Sequence, residues 1–363
     1  MDRANYALAC HLADLGREVH LVAHRVADDL RRRPNLIFHP VPRPGGFHLL
    51  GGPLLNRAGR YWARKLGVPE EHTLVNGGNC PARGMNWVHY VHAAHAPQVR
   101  ISGLRRLKAR WSHRRFLDQE RKALHLARVI IANSARTRQD LVTKVAIPEQ
   151  RVQVVYYGID GERFRPVTLE ERAALRAGLG WPQDRPVVAF LGALSDRRKG
   201  FDVLFEAWKE VCVEADWDAD LVVIGTGAEL PAWQSRAADA GLGRRIRFLG
   251  FRRDVAELLR ACDALAAPAR YEAYGLGVHE ALCCGLPAIV SARAGVAERY
   301  PPALRELLLP DPEDAHDLAA CLRRWRARAG HFRSAFARLA GSLRTYTWSH
   351  MAARIVRLMD AEA

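Results

Sequence analysis

Two glutamates in the segment "EAYGLGVHE", Glu272 and Glu280, have the residue type and spacing of a working site. Seven residues separate them, including glycines at 275 and 277. Two carboxylates can divide acid and base roles if both reach one bond, or they can bind the two ends of an extended ligand. The alternative is that both are ordinary polar residues of a helix.

The surrounding pattern favours an extended ligand. "DALAAPA" predicts a strand, "RYEAYG" a loop at its carboxyl end, and "LGVHEALCC" a helix closed by glycine and proline. Glu272 then lies in the loop, and Glu280 lies about two turns into the helix, roughly 9 Å along the axis from Tyr274. The N–H groups near Gly275 and Leu276 can receive an anion. The spacing fits a sugar, a diphosphate and a ribose laid along the start of the helix.

A second candidate is the basic loop in "FLGALSDRRKGFD". A predicted strand ends at Leu191, a loop with Arg197, Arg198 and Lys199 follows, and Gly200 opens a helix. Cations at the carboxyl end of a strand, beside a helix N-terminus, suit a diphosphate. A solvated basic loop is the alternative.

Two other motifs are weaker. "GTGAEL", residues 225–230, lacks the third glycine of a dinucleotide fingerprint, so it predicts a tight turn or a loop that lines a cleft. Asp218 and Asp220 precede a strand, at the edge of the sheet opposite to ligand sites. We therefore predict no metal site there.

Three histidines in "NWVHYVHAAH", His89, His92 and His95, repeat at intervals of three residues. Such a set could indicate a metal site. On a strand, however, the first two point to opposite faces, which argues against a shared metal.

The elements needed to position these residues are present in both halves of the chain. In the first half, a helix ends at Gly16, Ser134 is a predicted N-cap, and buried strands are predicted at "EVHLVAH", "HTLVNGG", "NWVHYVHAA", "ARVIIANS" and "RVQVVYYG". "VTLEERAALRAGLGWPQDRP" is interpreted as the connection between domains. The second half predicts about six strands, among them "VVAFLGAL", "ADLVVIGTG", "RIRFLGF", "DALAAPA" and "PAIVS". Alternating strands and helices predict an α/β protein with doubly wound sheets.

Charge points to an anionic partner. The 55 Lys and Arg exceed the 39 Asp and Glu, for a net charge of +16. Nine basic and two acidic residues lie in Arg100–Lys122, with apolar residues at roughly helical spacing, so this segment is a candidate for contact with an anionic membrane surface. A solvated arginine-rich face is the alternative. No zinc-finger or RRM-type signature accompanies the charge, so we expect no nucleic-acid partner.

The seven cysteines are scattered and have no CxxC spacing, which indicates neither a disulfide framework nor a thiolate zinc site. No apolar run has the length of a signal peptide or a membrane span. We expect a cytoplasmic protein that is at most peripheral on the inner face of the membrane.

Together these residues resemble the retaining nucleotide-sugar glycosyltransferases of family four, which have the GT-B fold of two Rossmann-like domains facing a cleft. The resemblance rests on the E-x7-E motif at Glu272 and Glu280, on the loop "GALSDRRKG", on "RVQVVYYGIDGERFRP", on the "FLGF" turn at 248–251 and on "YTWSHMAARIVRLM". It extends from about residue 5 to the end. It implies an acceptor-side domain at 1–165, a donor domain at 166–345 and a helix at 346–363 that returns to the first domain.

The resemblance also implies roles for individual residues. Glu280 would bind the ribose hydroxyls and Glu272 the C3 and C4 hydroxyls of the transferred sugar. Lys199, with Arg198 or Arg197, would neutralise the leaving diphosphate. The remaining donor-binding positions would be Gly275, Leu276 and Phe251.

His92 resembles the first-domain histidine that reaches the sugar, with His89 and His95 as rivals. Retention is explained in this family by front-face attack, in which the departing phosphate takes the proton of the acceptor, so we expect no protein nucleophile, metal or cofactor. The implied reaction transfers a hexose from a UDP- or GDP-sugar to a polysaccharide, lipid-linked or lipopolysaccharide-type acceptor. A GT-B nucleotide-sugar epimerase and an inactive, truncated nucleotide-binding homologue are the alternatives.

Two departures from the family pattern are expected to matter. Ala193 stands where the family commonly has arginine, so either Arg197 or Arg198 compensates or donor affinity is reduced. The chain also begins inside the first helix, without the strand and glycine-rich loop that normally precede it. We therefore expect either a true start upstream of Met1 or an impaired protein.

Overall fold

The computed structural model describes residues 2–46, 48–96, 103–195 and 197–361, with side chains described except at 2, 48–49 and 103–110. The chain forms two compact units. One contains the described residues up to Gly158 and the segment from Thr347, and the other contains Ile159–Tyr346. The 346–363 segment was expected to return to the first domain, and the helix from Trp348 is part of the first unit.

The strands are β1 Val19–Ala23, β2 Leu36–Pro40, β3 Leu74–Asn76, β4 Met85–Val88, β5 Val129–Ala132, β6 Val152–Val154, β7 Val187–Leu191, β8 Asp220–Ile224, β9 Ile246–Gly250, β10 Ala264–Ala267, β11 Ala288–Ser291 and β12 Leu308–Leu309. The helices are α1 Asp2–Asp14, α2 Asp28–Arg31, α3 His48–Leu66, α4 Gly103–Leu126, α5 Ala135–Val145, α6 Leu169–Gly178, α7 Phe201–Cys212, α8 Leu230–Asp239, α9 Val255–Ala261, α10 Leu276–Cys283, α11 Ala315–Ala327, α12 Ala329–Arg344 and α13 Trp348–Ala361.

The first unit contains parallel strands in two groups, β1-β2 and β3-β4-β5-β6. All five runs predicted as strands in this half form strands. Strand β2 was missed, because its run "LIFHP" ends in proline, which is disfavoured within sheets. Ser134 is an N-cap as predicted, since its side chain accepts a hydrogen bond from the Thr137 N–H at the start of α5.

Helix α13 packs on α1 within the first unit. Arg17 donates two hydrogen bonds to Asp360, at 2.9 and 2.8 Å. The Cα of Gly158 lies so close to the backbone of Thr347 that an added Cβ would stand 2.3 Å from the Thr347 carbonyl carbon. The end of the chain is therefore an integral part of this unit.

The second unit has a six-stranded parallel sheet in the order β12-β11-β10-β7-β8-β9. This is the doubly wound order, in which the winding direction reverses between β7 and β10. The buried core includes Phe190, Phe201 and Trp208. The fold class predicted from the sequence is confirmed, while the two-residue strand β12 had no recognisable run of its own.

The segment interpreted as a connection between domains instead folds into the second unit. Its helix α6 begins with a capping box between Thr168 and Glu171. The buried Arg176 donates to Asp263 at 2.5 Å and to the Ala261 carbonyl at 2.9 Å. These long-range contacts, which the sequence pattern does not reveal, make α6 part of the domain.

The basic segment Arg100–Lys122 lies partly outside the described residues. From Trp111 onward its side chains are described: Trp111 is 56% exposed and Arg115 lies 5.9 Å from its ring centroid. No helix in the described ranges is both long and apolar enough to cross a bilayer.

Candidate functional site

The reversal point of the second sheet brings together two loops that the sequence singled out. The loop after β7 contains the basic turn Arg197–Lys199, and the loop after β10 contains Glu272. Because β7 and β10 are neighbouring parallel strands, their carboxyl ends meet at one edge, where ligands of doubly wound sheets bind.

Lys199, Arg198 and Glu272 meet at this edge. The Lys199 ammonium forms an ion pair with Glu272 Oε2, and Arg198 Nη1 lies 3.5 Å from the same oxygen. Arg198 also donates to the Tyr271 carbonyl at 3.2 Å. Burial alone would raise the pKa of Glu272, but the charges of Lys199 and Arg198 outweigh it and lower that pKa below its usual value. Glu272 is therefore an ionised acceptor at neutral pH.

The third cation of the turn has a different partner. Arg197 Nε donates to Asp202 in the first turn of α7 at 2.6 Å. From the sequence, either Arg197 or Arg198 could compensate for the family arginine that Ala193 replaces. The structure brings only Arg198 of the two to Glu272.

The start of α10 is held by backbone contacts. The carbonyls of Glu272 and Tyr274 accept from the N–H groups of Gly295 and Val296, at 3.0 and 2.6 Å. Gly275 has φ +104°, which favours glycine, and it leads directly into Leu276. The first N–H groups of a helix have no partner within it, so this end can bind an anion.

Glu280 is the fifth residue of α10 and is buried, at 6% exposure. The helix starts at Leu276, so Glu280 lies about one turn into it, roughly 6 Å along the axis from Leu276. The two turns predicted before Glu280 were too many, because Tyr274 and Gly275 are not helical. Glu272 and Glu280 nevertheless lie in the separate elements predicted for them.

The "GTG" loop, residues 225–227, packs against the backbone of Gly192 and Leu194 at the start of the loop after β7. A Cβ on Gly225 would stand 1.9 Å from the Gly192 carbonyl oxygen, and one on Gly227 would stand 2.3 Å from the Leu194 carbonyl carbon. Leu194 donates its N–H to Thr226 at 3.0 Å. These glycines allow one backbone to approach another, which favours the turn interpretation.

Asp218 and Asp220 lie at the opposite edge, as expected. Asp220 begins β8 and is paired with Arg185 at 3.0 Å and Arg247 at 3.3 Å, while Asp218 pairs with Arg326. Among the residues that the structure describes, no group of three or more His, Cys, Asp or Glu side chains is placed to hold a metal ion. All seven cysteines are free thiols.

Phe251 follows β9 at the same edge as the two loops. Its side chain is 72% exposed, which is unusual for phenylalanine. The preceding Gly250 accepts a hydrogen bond from the Gly225 N–H at 2.9 Å. An exposed aromatic ring at the carboxyl end of a strand offers a flat apolar surface to a planar ligand group.

The histidines lie in the first unit, and the strand prediction for them was wrong. Strand β4 ends at Val88, so His89 lies beyond it, and His92 begins a short 3-10 turn that ends at Ala94. His92 Nδ1 lies 3.1 Å from Glu120 Oε1, and the same buried carboxylate accepts the N–H groups of His92 and Ala93 at 2.8 and 3.1 Å. In the neutral imidazole whose Nδ1–H donates to Glu120, the other ring nitrogen, Nε2, is the acceptor.

His89 is half-buried, and both of its ring nitrogens contact side chains of the protein. Its two ring nitrogens contact Tyr157 and Asn76, and burial lowers the pKa of His89 to about 3. His95 is half-buried. The contact with Glu120 distinguishes His92 from His89.

Sequence reasoning missed Arg270, Asp202, Glu313 and Glu120. Each has a partner distant in sequence that no local spacing indicates, although Asp202 also pairs with Arg197, five residues before it. Arg270 is the most buried of the arginines around the basic loop, with a side chain 5% exposed.

The comparisons with solved structures agree with the observed fold. The chain is similar to WaaG, a glycosyltransferase involved in lipopolysaccharide biosynthesis, with a TM-score of 0.76 and 19% identity over 99% of this chain and 95% of that one. It is similar to sucrose-phosphate synthase from Thermosynechococcus elongatus, with a TM-score of 0.75 and 21% identity over 98% and 91%. The fold is that of the GT-B glycosyltransferases.

Two family models divide the sequence between them. "Glycosyltransferase Family 4" matches residues 1–163, and "Glycosyl transferases group 1" matches residues 185–327. The chain belongs to the family-4 type of GT-B glycosyltransferases, as the motifs had indicated.

Curated relatives are similar over shorter stretches. A D-inositol 3-phosphate glycosyltransferase of Saccharomonospora viridis is 31% identical over 66% of this chain and 57% of its own length. A GDP-mannose-dependent monoacylated alpha-(1-6)-phosphatidylinositol monomannoside mannosyltransferase of Corynebacterium glutamicum is 35% identical over 40% of each chain. Across such relatives the match spans about half of their length, from 40% to 58%.

Proposed function

We propose that this protein transfers a hexose, with retention, from a UDP- or GDP-sugar to a hydroxyl of a polysaccharide, lipid-linked or lipopolysaccharide-type acceptor. The observation that carries the proposal is the convergence of Lys199 and Arg198 with the ionised Glu272 at the reversal point of the sheet. Two cations, a carboxylate and a helix N-terminus at one edge suit the diphosphate and the sugar of such a donor.

The relatives support the donor and acceptor classes. One similar structure holds UDP and glucose, in Anabaena Alr3699/HepE, at a TM-score of 0.69 and 18% identity. The Corynebacterium glutamicum relative is named for GDP-mannose and a phosphatidylinositol mannoside. A nucleotide sugar and a glycan or lipid acceptor are therefore the substrates to test first.

In the proposed step, the bond between sugar C1 and the phosphate oxygen breaks, and the diphosphate leaves with the electron pair. The acceptor oxygen bonds to C1 on the same face, and its proton moves to the departing phosphate oxygen. Lys199, Arg198 and the N–H groups at Gly275 and Leu276 stabilise the developing negative charge. Glu272 accepts hydrogen bonds from the sugar hydroxyls, and Glu280 accepts them from the ribose.

Two further residues complete the proposal. Phe251 stacks on the nucleotide base, since an aromatic ring can stack on the flat face of any base. His92, with Nε2 as an acceptor, binds a sugar hydroxyl. No metal is assigned, because the two cations neutralise the diphosphate.

The test is nucleotide binding followed by turnover. UDP or GDP should raise the melting temperature, since a ligand at 100 times its Kd stabilises the folded state by about 2.7 kcal/mol. Glu280→Gln should abolish most of that shift, because the neutral amide is a weaker acceptor for the ribose hydroxyls. Asp218→Asn, at the opposite edge of the sheet, is the control and should leave the shift intact.

Turnover is measured as release of nucleoside diphosphate, with and without EDTA, and the anomer of the product is read by NMR. Retention and insensitivity to EDTA are expected. The absence of a thermal shift with both nucleotides, or an inverted anomer, would contradict the proposal. An isomerised nucleotide sugar formed without acceptor would favour the epimerase.

A further inference from the structure

Arg270 lies in the loop after β10, two residues before Glu272, and sequence reasoning gave it no role. Its guanidinium is bound on two sides. It donates to Asp202 at 2.7 and 2.9 Å and to Glu313 at 2.5 and 2.7 Å. Paired bonds of this kind fix the plane and the direction of a guanidinium.

The same residue also holds the backbone of the basic turn. Arg270 Nη1 donates to the carbonyl of Arg197, and the Arg270 N–H donates to the carbonyl of Arg198 at 2.8 Å. Two consecutive carbonyls of the turn are thus held by one residue of the neighbouring loop. Lys199, the next residue, is paired with Glu272.

The charges around Arg270 indicate that it does not itself bind phosphate. Two arginines, Arg270 and Arg197, face two carboxylates, Asp202 and Glu313, so the formal charge of the group is zero. Burial would raise the pKa of Asp202, but Arg270 and Arg197 outweigh it and lower that pKa. The group therefore stays ionised and mutually paired, which leaves Lys199 and Arg198 as the cations beside Glu272.

We propose that Arg270 is a positioning residue of the nucleotide-sugar site. It joins the loop after β10, the basic turn, the first turn of α7 and the turn before α11, and so holds Lys199 and Arg198 at Glu272. This inference rests on the proposed function, because its consequence is the affinity for a nucleoside diphosphate. Lysine keeps the charge but lacks the planar fork that bridges two carboxylates and a carbonyl.

The experiment compares Arg270→Lys with Arg176→Lys in the full chain. Arg176 is a matched control: it is also buried, and it binds Asp263 and backbone carbonyls, but it does so at α6. The Kd for UDP and GDP is measured by calorimetry at a temperature where each variant is folded, and KM and kcat follow with the accepted donor. We expect Arg270→Lys to raise Kd and KM by about tenfold or more, and Arg176→Lys to lower the melting temperature at unchanged Kd.

If the wild type binds neither nucleotide, the proposed function fails. If the wild type binds and Arg270→Lys binds equally well, the positioning role is overturned. An equal loss of affinity in Arg176→Lys would also overturn it, since the effect would be general destabilisation. Should Arg270→Lys not fold, Glu313→Gln takes its place, because it removes the charge of one carboxylate partner of Arg270. Glu313→Gln should also raise the Kd for UDP and GDP. An unchanged Kd would overturn the inference.

Discussion

At the scale of single residues, three consecutive cations of one turn have different surroundings. Lys199 and Arg198 face Glu272, whereas Arg197 faces Asp202. Each of the three cations is paired with a carboxylate of the protein, so a ligand must exchange with those interactions. They differ in the carboxylate: Glu272 belongs to the proposed donor site, whereas Asp202 belongs to the neutral group around Arg270, so Lys199 and Arg198 are the cations beside the proposed diphosphate site.

We expect Arg198→Ala and Arg197→Ala to differ. Arg198→Ala removes a cation beside the proposed phosphate site, and a hydrogen bond to a charged group is worth about 1.5–3 kcal/mol, so the Kd for UDP or GDP should rise at least about tenfold. Arg197→Ala should change Kd by less than about threefold, because Arg270 still pairs with Asp202. Calorimetry on the two variants measures this, and equal effects would contradict the distinct roles of Arg198 and Arg197.

From the sequence, the residues proposed to bind the donor could be predicted, but the residues that hold them in place could not. Glu272 and Lys199 could be placed together because both follow buried strands, and the carboxyl ends of parallel strands share an edge. The sequence could not separate Arg197 from Arg198, since the difference depends on Asp202 and Arg270. Arg270 itself carries no local signal, because its carboxylate partners lie about seventy residues before it and about forty after it along the chain.

At the scale of elements, the turn that carries the cations depends on a glycine. Gly200 has φ +74°, and a Cβ there would stand 1.9 Å from the Pro268 carbonyl oxygen in the loop after β10. The positive φ disfavours any side chain, and the contact disfavours even a methyl group. Gly200 thus permits the approach of the two loops of the site.

We expect Gly200→Ala to lower the free energy of unfolding by more than its conformation alone explains. Gly241 provides the comparison, with φ +71° and nothing within 4 Å of an added Cβ. Gly241→Ala should cost roughly 1–2 kcal/mol. Gly200→Ala should cost about a further 1–3 kcal/mol and weaken nucleotide binding, because the loops must move apart.

Urea denaturation of the two variants measures the free energies, and calorimetry measures the Kd for UDP or GDP. Similar losses of stability, together with unchanged affinity, would show that the loops tolerate the methyl group.

Strands were predicted from the sequence where proline does not interrupt the apolar run. The strands β7 to β11 were predicted, whereas β2 and β12 were not, since a run that includes proline and a two-residue strand carry little pattern. Helix α10 begins at Leu276, as the run "LGVHEALCC" predicted, directly after the positive φ of Gly275. Glu280 therefore lies about one turn into the helix, where two turns were expected.

At the scale of the whole molecule, the two units are not two simple halves of the sequence. The second unit is continuous, Ile159–Tyr346, while the first also requires the end of the chain. Alternating strands and helices were enough to predict two α/β domains. That α6 belongs to the second unit was not predictable from the sequence. A charged helix flanked by glycine and proline is typical of a linker, and the contact that fixes it, between Arg176 and Asp263, joins residues far apart in the chain.

The proposed donor residues Lys199, Arg198, Glu272, Glu280 and Phe251 all lie in the second unit, which predicts that this unit binds nucleotide on its own. A fragment of residues 159–346 should fold, since it contains its whole six-stranded sheet and core, and should bind UDP or GDP with a Kd within about threefold of the full chain. A fragment ending at Gly158 should be less stable than the same fragment supplied with residues 347–363 as a peptide, because α13 packs on α1 and Asp360 pairs with Arg17. Near-ultraviolet circular dichroism and thermal melting establish folding, and calorimetry measures binding. A folded 159–346 fragment that binds neither nucleotide, alongside a full chain that does, would mean that residues of the first unit are needed for donor affinity as well as for transfer.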